Sequence, residues 1–299
     1  MRIQRNIVAA LIASIAATGA ASAAELTGTL KKIKDSGAMT LGHRESSIPF
    51  SYLDDKQKVV GYSQDVANEV IAAVKKELKM PGLIVKLNSV TSQTRIPLVQ
   101  NGTVDLECGS TTNNTERQKQ VAFSDSIFVI GTRLLAKKTS GVKDFPDLAG
   151  KTVVTTAGTT SERIIRKMNA DKNMGMNVVS AKDHGESFLM LETGRAVAFM
   201  MDDALLYGEM AKAKNPGEWA VVGKPQSFEA YGCMMRKDDP QFKALVDSTI
   251  AGLMKSGKIN DIYKRWFMSP IPPKGLNLSF PMSDDMMALI KNPNDKAYE

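Results

Sequence analysis

Three arginines fall where apolar runs give way to loops. Arg44 follows "MTLGH", Arg95 lies in "TSQTR" after "VKLNSV", and Arg117 lies in "TTNNTER" after "VDLEC". Hydroxyls and carboxylates collect at the same kind of position. Ser92 precedes Arg95, Ser110 and Thr112 follow "VDLEC", and Thr160 follows "TVVTT". Asp183 and His184 follow "NVVSA", and Asp202 and Asp203 follow "AVAFMM". The guanidinium fork grips a carboxylate through two parallel hydrogen bonds, and an aspartate suits an ammonium. Each residue alone reads plainly: an arginine at a strand end is a surface ion-pair partner, and a Ser or Thr before a helix is a cap. Together they describe a ligand with two carboxylates and one ammonium, an acidic amino acid. Charge-assisted bonds of roughly 1.5–3 kcal/mol each would hold it without any chemistry.

The elements that must position these groups are visible in the apolar periodicity. Short strands alternate with amphipathic helices, the pattern of an α/β protein. "AMTLGH" reads as a strand ending near His43, and the helix after "VVG" places Val66, Val70, Ile71 and Val74 at helical spacing. "LIVKLNSV", "VDLEC" and the longer "IFVIGTRLLAKK" read as strands, with a helix over "SQTRIPLVQNG" that has Ser92 near its start. A second series, "KTVVTT" to "WAVVG", repeats the alternation before "EAYGCMMRK" and two closing helices. In open α/β sheets ligands bind beyond the carboxyl ends of the strands, which is where the polar groups above sit.

The 299 residues carry 43% hydrophobic and 24% charged side chains, ordinary globular composition and enough for two domains. Residues 1–24 read as a secretory signal peptide: Arg2 and Arg5, the apolar "IVAALIASIAATGA", and "ASA" offering cleavage after Ala23 or Ala24. The alternative is an uncleaved anchor, for which the run is short and alanine-rich. The net charge of +7 owes two units to this leader, and no basic run with interleaved aromatics points to nucleic acid. In an exported protein Cys108 and Cys233 read as one structural disulfide, with two buried thiols as the alternative. No His/Cys spacing suits zinc. "AGTTSE" resembles an anion loop but lacks the Walker lysine. His184, near a helix start, is open to reading as a ligand or as an exposed neutral imidazole. The 17 methionines are scattered and read as core filling.

The runs "HRESSIPFSY", "TSQTRIPLVQNGTVDLECGSTTNNTERQKQVAFSDSIF", "SAKDHGESF", "AVAFMMDDALL" and "EAYGCMMRKDDPQF" closely resemble periplasmic glutamate/aspartate-binding proteins of ABC importers. The resemblance covers essentially the whole chain after the leader and keeps the motif order. It implies two α/β lobes, each a central β-sheet flanked by helices, joined by two hinge strands and closing over one amino acid. Lobe 1 would comprise 25–131 and 229–299, and lobe 2 residues 132–228; both cysteines then lie in lobe 1. By motif position, Arg117, Thr112 and Thr160 would hold the α-carboxylate, and Asp202 with Ser110 the α-ammonium. Arg44, Ser92, Arg95 and His184 would receive the side-chain carboxylate. The resemblance implies an exported monomer with no cofactor that passes L-glutamate and L-aspartate to an inner-membrane permease.

Two other classes share this architecture. A dehydratase-like enzyme needs a general acid or base in the cleft; Glu45 and Asp203 are the candidates, each more plainly a lobe-surface or helix-start carboxylate. His43 and Ser46 lack the context of a nucleophile elbow. A ligand-loaded sensor subunit for a chemoreceptor would bind the same molecule and differ only in its partner. Of the first aromatic residues, Phe50 and Tyr52 are expected to wall the cleft, and Ser46 and Ser47 to shape its turn.

Overall fold

The structure is a computed structural model that describes residues 25–297. The leader expected over 1–24 lies outside the described residues. Helix α1 (Gly28–Ser36) stops at Gly37, whose φ of 71° suits a residue without a Cβ, and strand β1 (Ala38–His43) begins at once. A small antiparallel sheet follows: β2 (Ser46–Ser47), β3 (Ser51–Leu53) and β4 (Val59–Val60). Helix α2 (Tyr62–Glu77) buries Val66, Val70, Ile71 and Val74, the stripe its spacing predicts. Next come β5 (Ile84–Ser89), α3 (Arg95–Gln100), β6 (Leu106–Glu107) and α4 (Thr115–Gln118). Strands β5, β1 and β6 run parallel, so the segments leaving them emerge at one end of the sheet.

Strand β7 (Ala122–Lys137) then runs for 16 residues and serves both halves of the molecule. The second series supplies β8 (Thr152–Thr156), α5 (Thr160–Asp171), β9 (Asn177–Ala181), α6 (His184–Glu192), β10 (Ala198–Asp202), α7 (Asp203–Lys212) and β11 (Trp219–Val222). Strand β12 (Phe228–Met235) brings the chain back, followed by α8 (Pro240–Lys255), α9 (Lys258–Phe267), the hairpin of β13 (Pro270–Ile271) and β14 (Leu276–Asn277), and α10 (Asp284–Lys291). The sheet order is β5-β1-β6-β12-β7-β10-β8-β9, with β11 also on β7. Strand β7 pairs with β12 from Ala122 to Gly131, then with β10 and β11 from Thr132 onward. The chain therefore crosses between the two halves along β7 and returns along β12.

The centre of the first half is aromatic. Phe50 meets Tyr62, Phe128, Tyr231 and Phe267 edge-on, with ring centroids 4.8–6.2 Å apart. Tyr52 packs edge-on against Trp266 and its hydroxyl donates to the Pro272 carbonyl at 2.7 Å. These two rings were expected along the cleft; they turn into the core instead, where Tyr62 of α2 and Trp266 and Phe267 of α9 receive them. Cys108, after β6, and Cys233, in β12, form a disulfide that spans 125 residues of sequence with Cα atoms 4.4 Å apart. Among the described residues no helix is long and apolar enough to cross a membrane.

Candidate functional site

Each parallel strand delivers a polar group to the gap between the halves. From the first half come Arg44 after β1, Ser92 after β5, Arg95 at the start of α3, Ser110 and Thr112 after β6, and Arg117 in α4. From the second come Thr160 opening α5, His184 opening α6 and Asp202 ending β10. All nine are buried, an unusual state for charged side chains. Arg44 is 1% exposed, Arg95 2% and His184 1%, which removes the exposed-imidazole reading of His184.

The arginines are held by neutral groups. Arg44 donates from Nη1 to Ser110 Oγ at 3.5 Å, and its Nη2 has no partner. Arg95 donates from Nη1 to the Ser110 carbonyl at 3.0 Å and to Thr111 Oγ1 at 2.6 Å, leaving Nε without a partner. Arg117 donates to the Thr112 carbonyl at 2.9 Å and, across to the second half, to the Gly158 carbonyl at 3.3 Å. Among the described residues, none of the three lies within 4.0 Å of a carboxylate oxygen; the ion pairs use other side chains. Burial, and then the neighbouring Arg95, lowers Arg44 to about 10 and Arg117 to about 9, so both remain charged at neutral pH. Burying an unpaired charge is costly. Three in one place make a receptor for anions.

His184 approaches Thr156 Oγ1 at 2.9 Å through Nδ1, while its Nε2 is buried without a partner. Burial, then Arg44 and Arg95, holds this imidazole well below its ordinary range, so it stays neutral. Ser92 does not cap α3. That helix starts at Arg95, and Thr91 and Thr94 bond each other's amides at 3.0 and 3.2 Å, leaving Ser92 Oγ buried and without a partner. Thr160 Oγ1 donates to Glu229 at 2.9 Å. Asp202 accepts from the Tyr231 hydroxyl and from Ser161 Oγ at 3.4 Å. Burial, and after it the nearby Glu229, pushes Asp202 up to about 8.

Three buried residues of this cluster escaped the sequence reading: Glu107, Glu229 and Tyr231. Glu107 had a signal, a carboxylate inside the apolar run "VDLEC"; Tyr231 and Glu229 lie within β12 rather than beyond a strand end, and had none. The enzymatic candidates are poorly set for chemistry. Glu45 is exposed, and Asp203 opens α7 with its carboxyl raised to about 6 by burial, with no nucleophile placed beside it. A surface cavity of about 530 Å³ between β9 and α6 is lined by exposed Lys182, Glu186 and Leu189 and contains none of the nine residues.

Two glycines set how closely the halves meet over this cluster. A Cβ on Gly158 would lie 2.9 Å from the Gln93 backbone nitrogen, and one on Gly208, within α7, 2.2 Å from the Ile48 carbonyl oxygen. Both glycines belong to the second half and both obstacles to the first.

Comparison with known proteins agrees with this geometry. The chain is 65% identical over 300 residues to the L-glutamate/L-aspartate-binding protein of Pseudomonas aeruginosa, covering 100% of this chain and 99% of that protein. It is 60% identical over 298 residues to the glutamate/aspartate import solute-binding protein of Escherichia coli, covering 99% of each. Among solved structures it is similar to an ancestral arginine-binding protein bound to arginine, with a TM-score of 0.70 and 29% identity, covering 77% of this chain and 98% of that one. The family model for bacterial extracellular solute-binding proteins, family 3, matches residues 39–269. Alternating α/β halves, strand-end arginines and the crossing pair β7 and β12 thus have one common source: the chain belongs to the bacterial extracellular solute-binding proteins, family 3.

Proposed function

We propose that this chain binds L-glutamate and L-aspartate in the periplasm and delivers them to the permease of an ABC importer. The observation that carries the reading is the set of three buried arginines with, among the described residues, no carboxylate at ion-pair distance, and with buried Asp202 near enough to act on Arg95 and Arg117. The names of its relatives at 60–65% identity support the same ligands and the same transport role. It is a binding protein rather than an enzyme, and it acts as a monomer.

The ligand's α-carboxylate is held by Arg117, with the Thr112 and Thr160 hydroxyls. Its ammonium meets Asp202 and Ser110, which favours ionised Asp202 over the neutral form that burial alone prefers. Its side-chain carboxylate meets the free nitrogens of Arg44 and Arg95, with Ser92 Oγ and His184 Nε2 beside them. Because these groups come from both lobes, the ligand binds the closed form more tightly than the open one and shifts the population toward it. Lobe 1 comprises 25–131 and 229–299 and lobe 2 132–228, a division supported by the change of β7 partners between Gly131 and Thr132. Calorimetry of the chain from residue 25, against a panel of amino acids, tests the reading. Glutamate and aspartate should bind well ahead of glutamine, and a neutral or basic amino acid as the preferred ligand would overturn it. Mass spectrometry of the ligand after incubation should find it unchanged.

A further inference from the structure

Glu107 is a buried carboxylate that acts on both Arg44 and Arg95, whereas Asp183 acts on Arg44 and Asp202 and Glu229 on Arg95, and neither ligand contact nor core packing accounts for it. It is 0% exposed at the end of β6. One oxygen accepts from Thr111 Oγ1 at 2.8 Å, and that hydroxyl in turn accepts from Arg95 Nη1 at 2.6 Å. The other oxygen is buried without a partner. Two glycines clear room for the group. A Cβ on Gly42 would lie 3.2 Å from Glu107 Cγ, and a Cβ on Gly109 would lie 2.5 Å from the free oxygen and 3.0 Å from Arg44 Cγ. The carboxylate therefore lies between the stem of Arg44 and the hydroxyl that carries Arg95. Burial lowers the basicity of both arginines, and the charge of Glu107 opposes that fall in each.

We propose that Glu107 is a specificity-setting counter-ion that offsets one of the two positive charges Arg44 and Arg95 present to the ligand's side-chain carboxylate. The inference rests on the proposed glutamate and aspartate site. Arg44 and Arg95 together carry two positive charges in a low-dielectric pocket. Without Glu107 the incoming carboxylate would meet a larger positive excess, binding acidic ligands more tightly and releasing them more slowly. With it, the subsite still discriminates an acid from its amide, but by a smaller margin that leaves the ligand free to leave. A carrier that must surrender its cargo needs that margin moderate.

The test is Glu107→Gln in the chain from residue 25, titrated calorimetrically with glutamate and with its neutral isostere glutamine. The amide keeps an acceptor for Thr111 and removes only the charge. The ratio of glutamate to glutamine affinity should rise about tenfold or more. A ratio that stays constant or falls overturns the proposal, since a purely structural role would weaken both ligands alike or disturb Arg95. Glu107→Asp keeps the charge and is the packing control, which can still be read if the glutamine variant does not fold. Its ratio should stay within about threefold of the parent, and a larger change in either direction also overturns the proposal. Absence of glutamate binding by the parent protein would defeat the proposed function and this inference together. Normal parent binding with a constant variant ratio defeats this inference alone.

Discussion

Gly208 sits inside α7 with an ordinary helical backbone, a position where alanine would normally be the better residue by about 1 kcal/mol. The reason for glycine is the Ile48 carbonyl oxygen, which would lie 2.2 Å from an added Cβ. Ordinary heavy-atom contact begins near 3.5 Å, so Gly208→Ala forces α7 and the Ile48 turn apart by roughly 1 Å. Overpacking of this kind costs about 1–3 kcal/mol, and on the proposed lobe division the cost falls on the closed state, because Gly208 and Ile48 then belong to opposite lobes. Apparent affinity scales with the fraction of closed form, so it should drop by roughly 5- to 150-fold. The loss should be equal for glutamate, aspartate and any weaker ligand, since none of them touches Gly208. Calorimetry reads the affinities, and small-angle scattering reads the ligand-dependent compaction, which should diminish. Thermal melting of the unliganded variant should stay level or rise, because the helix gains a better former. Unchanged affinity, or a loss confined to one ligand, would refute the reasoning.

On the proposed arrangement the arginines would divide the ligand between them. Arg117→Ala should weaken every amino acid by about tenfold or more, at roughly 1.5–3 kcal/mol per charge-assisted bond, whereas Arg95→Ala should penalise glutamate and aspartate at least tenfold more than glutamine. Equal losses for all three ligands in the Arg95 variant would sink that division. Asp202 ionises at 3.8 in an unstructured chain and at about 8 in the fold, so its carboxyl favours folding when protonated. That contribution is fully present below pH 4 and is lost as the pH rises toward 8. Melting of the unliganded protein should therefore decline between pH 5 and 8 more steeply than that of Asp202→Asn, and parallel curves would contradict the assignment. Reducing the Cys108–Cys233 bridge, or replacing both cysteines with serine, reopens a loop of 125 residues and should cost about 2–5 kcal/mol, seen as a lower calorimetric midpoint. An unchanged midpoint would show that the bridge contributes nothing to stability.

Much of the architecture is local and therefore legible in the sequence. The Val66, Val70, Ile71 and Val74 stripe had to be a helix facing the core, and "AMTLGH", "VKLNSV" and "TVVTT" had to be strands, because backbone periodicity and burial act over neighbouring residues. The rule that loops beyond parallel strands carry ligands then singled out Arg44, Arg95, Arg117 and Asp202 from the chain's many charged groups. Local rules failed where position depends on distant chain. Phe50 and Tyr52 follow Arg44 by only a few residues yet turn into the core, because α9 and the tail at Pro272 offer them partners. Ser92 looked near a cap, and the reciprocal Thr91–Thr94 bonds released it.

By itself the sequence determined the alternation of elements, the residues at strand ends and, through charge type, an acidic zwitterion as their fitting partner. Only the tertiary structure decided which of those groups meet. It brought Tyr231 from β12 onto Asp202, set Glu107 between two arginines, and pressed Gly208 against Ile48. The physical reason is one of range: hydrophobic pattern and turn chemistry are written into adjacent residues, whereas the energy of a buried charge depends on groups that only a closed fold brings within a few ångströms.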